Sequence, residues 1–186
     1  MRTQYFGDIS VAKVLDGADH FKAAIAFPDV DLNHFHQHHD WIRPFYDFEN
    51  ESIIISTHSY VVKTPEFTAI VDTCIGNDKN RIGSGPLFKA NKGVLSQWNN
   101  RNSPYLDNLM QSGVNPKEVD YVMCTHMHAD HVGWNTQLQD GRWVPTFPNA
   151  QYLFSQTELE GMQKQTGNPF DEYIRLVYED SVLPVV

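Results

Sequence analysis

Basic residues are scarce in this chain. Fourteen Lys and Arg stand against 23 Asp and Glu, a formal net charge of −9. Nucleic acids and anionic membrane surfaces are held by clustered cations, so neither is an expected partner. Cysteine is rarer still, with only Cys74 and Cys124. Each ends an apolar run, so both read as buried reduced thiols and no disulfide framework is expected. No apolar run reaches the roughly 18 residues of a membrane-spanning helix. The opening Met1-Arg2-Thr3-Gln4-Tyr5-Phe6-Gly7-Asp8 lacks the apolar core of a signal peptide. A cytoplasmic location is therefore expected. A length of 186 residues with 41% hydrophobic content suits one domain, residues 1–186, with its own core.

Histidine is absent after His131, yet three of the nine histidines crowd into Thr125-His126-Met127-His128-Ala129-Asp130-His131-Val132-Gly133. The run before them, Val119-Asp120-Tyr121-Val122-Met123-Cys124, is apolar and rich in strand formers, with the turn signal Asn115-Pro116 ahead of it. The histidines thus stand where a buried strand ends, the usual place for a site in an α/β protein. In extended backbone His126 and His128 project to one side, because side chains alternate with period two. Two neutral imidazoles can then hold one divalent cation. A helical turn through Asp130 and His131 presents a carboxylate and a third imidazole beside them. Four adjacent N and O donors suit Zn²⁺, Mn²⁺ or Fe²⁺ and exceed what one open catalytic site needs. Two metals sharing a bridging water is the natural arrangement.

His126, His128, Asp130 and His131, followed by Gly133, match the His-x-His-x-Asp-His signature of the metallo-β-lactamase-fold hydrolases, and the sequence resembles that superfamily. Val71-Asp72-Thr73 looks like its strand-terminating aspartate. Gly133-Trp134-Asn135-Thr136 and Phe147-Pro148-Asn149-Ala150 are similar to the branch with lactonase-like and organophosphate-hydrolase-like members. The resemblance implies an α/β fold of the αββα sandwich type, of which these residues form the N-terminal part. It implies that His126 and His128 hold one metal and that Asp130 and His131 hold the second. It places Asp72 behind these ligands, orienting an imidazole. By the same analogy Asp130 passes a proton to the leaving group. Full members carry further ligands downstream: another histidine for the first metal, an acidic bridging residue and a last histidine. No histidine follows His131 here, so the fold is expected to be truncated after the first ligand motif.

The rest of the chain reads as a frame for that site. Asp8 to Gly17 alternates as a half-buried strand ended by Asp16-Gly17. Asp31 to Ile42 suits a short helix or loop over the pocket mouth, or a solvated His-rich surface; on a helix His34 and His38 would stand one turn apart as a less favoured chelating pair. Glu51–Lys63 and Phe67–Asp72 read as a β-hairpin around Thr64-Pro65-Glu66. Ile75 to Trp98 is polar and aperiodic, a long surface loop whose Gly83-Ser84-Gly85 lacks the spacing of a phosphate loop. Ser103-Pro104 opens a helix with Tyr105, Leu106, Leu109 and Met110 inward and Gly113 at its end. Asp140-Gly141 is a hairpin turn, Gln151–Phe154 a strand, and Ser155-Gln156-Thr157-Glu158 a capping box for a helix reaching about Gln165. Asn168-Pro169 caps another helix.

Two functions follow from these readings. The first is a metal-dependent hydrolase using two Zn²⁺, with Mn²⁺ or Fe²⁺ as alternatives, on a small-molecule lactone, ester, thioester or phosphotriester. The second is a non-catalytic fragment or binding module lacking the full dinuclear site. An uncovered sheet in a truncated sandwich also predicts self-association.

Overall fold

The computed structural model describes residues 3–82, 95–164, 166–168 and 170–186. Gly83-Ser84-Gly85 therefore lies outside the described residues. The chain forms two compact units, residues 17–57 and the remainder, with boundaries inside two long strands.

Among the described residues there are nine strands: β1 (Thr3–Phe6), β2 (Ile9–Lys22), β3 (Tyr46–Asp47), β4 (Ser52–Lys63), β5 (Thr68–Val71), β6 (Tyr121–Met123), β7 (Thr136–Gln139), β8 (Arg142–Pro145) and β9 (Gln151–Leu153). Seven make one sheet in the order β1-β2-β4-β5-β6-β9, with β3 beside β4; β7 and β8 form a separate ribbon. The expected hairpin is present, β4 against β5 with Lys63 opposite Thr68. On the other side of β5 the pairing turns parallel: Ala69, Ile70 and Val71 face Tyr121, Val122 and Met123, which in turn face Gln151, Tyr152 and Leu153. A parallel strand needs a crossover, supplied between β5 and β6 by the helix Tyr105–Gln111 (α4). Its Tyr105 and Leu109 are fully buried, packing with Val14, Val61, Ile70, Val119 and Val122. Burial of each such aliphatic side chain contributes ~1.5–3 kcal/mol.

Earlier helices are short: α1 (Ala23–Ala26), α2 (Asn33–Gln37) and α3 (His39–Ile42). All lie in the smaller unit, where Phe35 stacks on Tyr46 at 4.7 Å and Tyr46 meets Phe48 edge-on at 4.8 Å. Later come α5 (Ala129–Val132), α6 (Gln156–Met162) and α7 (Asp171–Val177). Met127, Ala129 and Val132 join Val177 and Val182 in a second core cluster.

Several sequence expectations are corrected. Asp16-Gly17 does not end its strand, which runs on to Lys22. The Asp16 carboxylate is taken up inside the fold by the Ser103 hydroxyl and by the Trp134 indole N–H at 2.9 Å, so it is not free to form a turn. His34 and His38 do not share a helix, because α2 stops at Gln37 and His38 leaves helical geometry at φ −112°. Met110 points outward, 55% exposed. Ser155 makes no side-chain cap, and α6 ends at Met162. The described part of the 75–98 segment is not surface loop throughout: Ile75, Lys79 and Arg81 are fully buried.

Candidate metal centre

Strands β5 and β6 end side by side, and the site is built on their C-terminal ends. Past Val71 the chain adopts left-handed backbone twice, at Asp72 (φ 56°) and Cys74 (φ 52°). Such geometry costs non-glycine residues on the order of 1–3 kcal/mol each and persists only where surroundings fix it. Here those surroundings are visible. The N–H of Thr73 donates to the His131 carbonyl at 2.7 Å, Gly133 N–H to the Cys74 carbonyl at 2.8 Å, and Trp134 N–H to the Thr73 carbonyl at 2.7 Å. The Thr73 hydroxyl also reaches Asn135 Oδ1 at 2.8 Å. Residues 72–76 thus clasp the backbone of residues 131–134. Gly133 permits the approach: a Cβ there would stand 1.9 Å from the Ile75 carbonyl oxygen.

The left-handed turn at Asp72 aims its carboxylate across at the next strand end. It accepts from the Thr125 N–H at 2.8 Å and from the Thr125 hydroxyl, and its Oδ2 lies 2.9 Å from His131 Nδ1. Burial would raise the Asp72 pKa, but the hydrogen bonds from His131 and Thr125 outweigh it and hold the carboxyl below its usual range. With Nδ1 engaged, Nε2 of His131 is the nitrogen left to face a metal. That atom is 3.3 Å from Asp130 Oδ2. Alongside, His126 Nε2 is 3.1 Å from His128 Nδ1, and the His126 and His131 rings are 3.9 Å apart.

These two separations carry chemical information. A tetrahedral cation with ligands at ~2.0–2.1 Å puts neighbouring donor atoms ~3.3 Å apart. Each pair, His126 with His128 and His131 with Asp130, is spaced as the edge of such a tetrahedron, so the donor set fits divalent cations. Among the described residues no group of three or more His, Cys, Asp or Glu side chains is arranged to hold a metal ion; the His126 ring lies near both His128 and His131. The charges agree with that use. Burial and the neighbouring His131 and His128 lower the His126 pKa, favouring the neutral ring that binds metal. Burial works against a carboxylate at Asp130, but its hydrogen bond with His131 prevails and keeps it ionised. His131 opposes the trend: burial is outweighed by Asp130 and Asp72, which raise it to about 9. A metal bound by His131 would have to displace a proton there at neutral pH.

The chain matches the family model of the metallo-beta-lactamase superfamily over residues 54–185, well over half its length. It belongs to the metallo-β-lactamase superfamily. No curated protein matches it. Solved structures do. A probable metal-dependent hydrolase from Staphylococcus aureus aligns at TM-score 0.70 and 23% identity, covering 98% of this chain and 60% of that one. The hydrolase AbOPH aligns at TM-score 0.67 and 20% identity over 96% and 55% of the two chains. AidC, a dizinc quorum-quenching lactonase, aligns at TM-score 0.65 and 16% identity over 96% and 59%. These likenesses bear out the fold class expected from the sequence. The chain spans a little over half the length of these neighbours.

Within this superfamily fold, a cavity of about 780 Å³ opens beside His128 and Asp130. Its walls are largely apolar, with Met127, Met162, Tyr173 and Val177, and Glu158 stands among them. Among the described residues no Lys or Arg lines it. The Cys124 thiol is turned to Asn135 Oδ1 at 3.7 Å; without a metal, burial pushes it up to about 12. Of the elements sequence reasoning missed, the 72–76 clasp had a signal in Gly76 and Gly133. Glu158 had none, because its partner is far away in the chain. No helix among the described residues is long and apolar enough to cross a membrane.

Proposed function

We propose that this chain carries donors for both cations of a dinuclear metal centre in a hydrolase acting on a small-molecule lactone, ester, thioester or phosphotriester. The observation behind this reading is the spacing of two donor pairs, 3.1 Å for His126 and His128 and 3.3 Å for Asp130 and His131. His126 and His128 would hold one cation and Asp130 with His131 the other, Zn²⁺ in the first instance and Mn²⁺ or Fe²⁺ as alternatives. Bound cations supply Lewis acidity and lower the pKa of coordinated water. The protein supplies the rest. Asp72 fixes the His131 ring through Nδ1, and the ionised Asp130 carboxylate takes up a proton and returns it to the leaving group. The apolar cavity orients the substrate and excludes bulk water.

Elemental analysis of purified protein tests the site. His126→Ala and Asp130→Ala should each lose bound Zn or Mn, while His36→Ala should not. Equal loss in His36→Ala would overturn the assignment. The alternative, a binding module without catalysis, draws support from the pairing of the donors, since a catalytic zinc normally keeps three protein ligands. Turnover on a lactone and phosphotriester panel, measured for this chain and for one extended through further histidines, separates the two.

A further inference from the structure

The serine and glutamate at the start of α6 are spaced as a capping box, but the glutamate is employed elsewhere. Glu158 Oε2 accepts the backbone N–H of Met127 at 3.1 Å, 31 residues away. Met127 is the residue between His126 and His128. Its side chain is 3% exposed and sits in the cluster with Val177 and Val182, against which Leu159 and Met162 of the same helix pack. The Met127 side chain is therefore anchored from one direction and its N–H from another, both by α6 or its neighbours. His126 and His128 lie in bends of the chain beyond β6, not on a strand, so the orientation of the Met127 peptide between them sets where the two rings point. Rotation about the Met127 backbone would swing His126 Nε2 away from His128 Nδ1, which now stand 3.1 Å apart.

We propose that Glu158 is a positioning residue for the first donor pair, holding the Met127 peptide so that His126 and His128 converge. This rests on the metal-site reading above for its purpose, but the hydrogen bond itself does not. Glu158 also lines the cavity beside His128 and Asp130, so its charge and its hydrogen bond must be tested apart. Glutamine keeps an acceptor oxygen and loses the charge. Aspartate keeps the charge and is one methylene short. Leucine has neither.

The first measurement is amide hydrogen exchange at Met127 in metal-free protein, by ¹⁵N–¹H correlation spectra. Glu158→Leu and Glu158→Asp should exchange at least ~10-fold faster there than wild type, and Glu158→Gln should stay close to it. The second is Co²⁺ binding followed by its visible spectrum. The leucine and aspartate variants should bind ~10–100-fold more weakly, with an altered band pattern, and glutamine should restore both. If Glu158→Leu does not fold, Glu158→Asp carries the test alone. Unchanged Met127 exchange in Glu158→Asp would overturn the proposal. So would a glutamine variant as impaired as aspartate or leucine, since the charge and not the acceptor oxygen would then be the cause. Wild-type protein that binds no Co²⁺ while its Met127 amide remains protected by Glu158 would sink the metal-site reading and leave the hydrogen bond standing without that purpose.

Discussion

Asp72 Oδ2 stands 2.9 Å from His131 Nδ1, bridging the ends of two adjacent parallel strands. The same carboxylate takes the Thr125 N–H at 2.8 Å. One side chain therefore fixes the start of the histidine loop and the orientation of its last ring. Asp72→Asn retains a single acceptor oxygen, too few for both partners. The variant should keep its far-ultraviolet circular dichroism and bind Zn²⁺ ~10- to 100-fold more weakly in a chelator competition. Unchanged affinity would remove Asp72 from the site.

Among the described glycines, Gly133 has the least room for a side chain. Its missing Cβ would lie 1.9 Å from the Ile75 oxygen and 2.0 Å from the carbonyl carbon, both rigid backbone atoms. Gly133→Ala must push the 72–76 clasp away from the ligand loop, and should cost ~3 kcal/mol or more in urea unfolding. Gly141 is the contrast, at φ 75° with open space around it. Gly141→Ala should cost only the left-handed backbone penalty of about 1–2 kcal/mol. Similar losses in both variants would mean that the close approach is relaxed in solution.

What was legible in the sequence was local. β6 announced itself by consecutive apolar, β-rich residues, and parallel pairing on both sides accounts for that pattern. The β7–β8 turn followed from Asp140-Gly141, whose φ values of 49° and 75° are both positive, as a two-residue hairpin requires. The four candidate ligands were singled out by their spacing along six residues. Contacts made at long separation were not. Lys79 and Arg81 read as solvated loop residues, yet both are fully buried by a segment about a hundred positions later. Glu158 was misassigned for the same reason: capping-box spacing is local information, while its partner is set by packing.

That buried charge cluster invites a direct test. Arg81 reaches the Asp180 carboxylate through two nitrogens, at 2.6 and 3.2 Å, and the Ser181 hydroxyl at 3.2 Å. Lys79 Nζ bonds the Thr136 hydroxyl at 2.6 Å and lies 3.5 Å above the Trp143 ring. Asp180→Ala would leave a buried guanidinium without its anion. Unfolding in urea should show a loss of ~3–5 kcal/mol. A loss below ~1 kcal/mol would indicate that water reaches the cluster.

Lys79 makes the stability depend on pH with a definite sign. Burial lowers its pKa from 10.5 to about 7, against the opposing pull of Asp180. Between those values the unfolded chain holds a proton that the folded chain has released, so this group makes stability rise with pH from about 7 to 10.5. Below pH 7 it is charged in both states and the cost of burying the charge is fully present. In metal-free protein His131 acts oppositely: raised from 6.5 to about 9, it contributes stability that is lost as pH climbs through that range. The two trends oppose each other in wild type, so the Lys79 contribution must be read as a difference. Lys79→Met has a similar length and no charge to titrate. Relative to that variant, wild type should gain stability from pH 7 to 10, at a limiting slope of ~1.4 kcal/mol per pH unit. Urea unfolding of both proteins across that range measures it. A difference that stays flat would show that Lys79 keeps its proton inside the fold, stabilised by Asp180 and the Trp143 face.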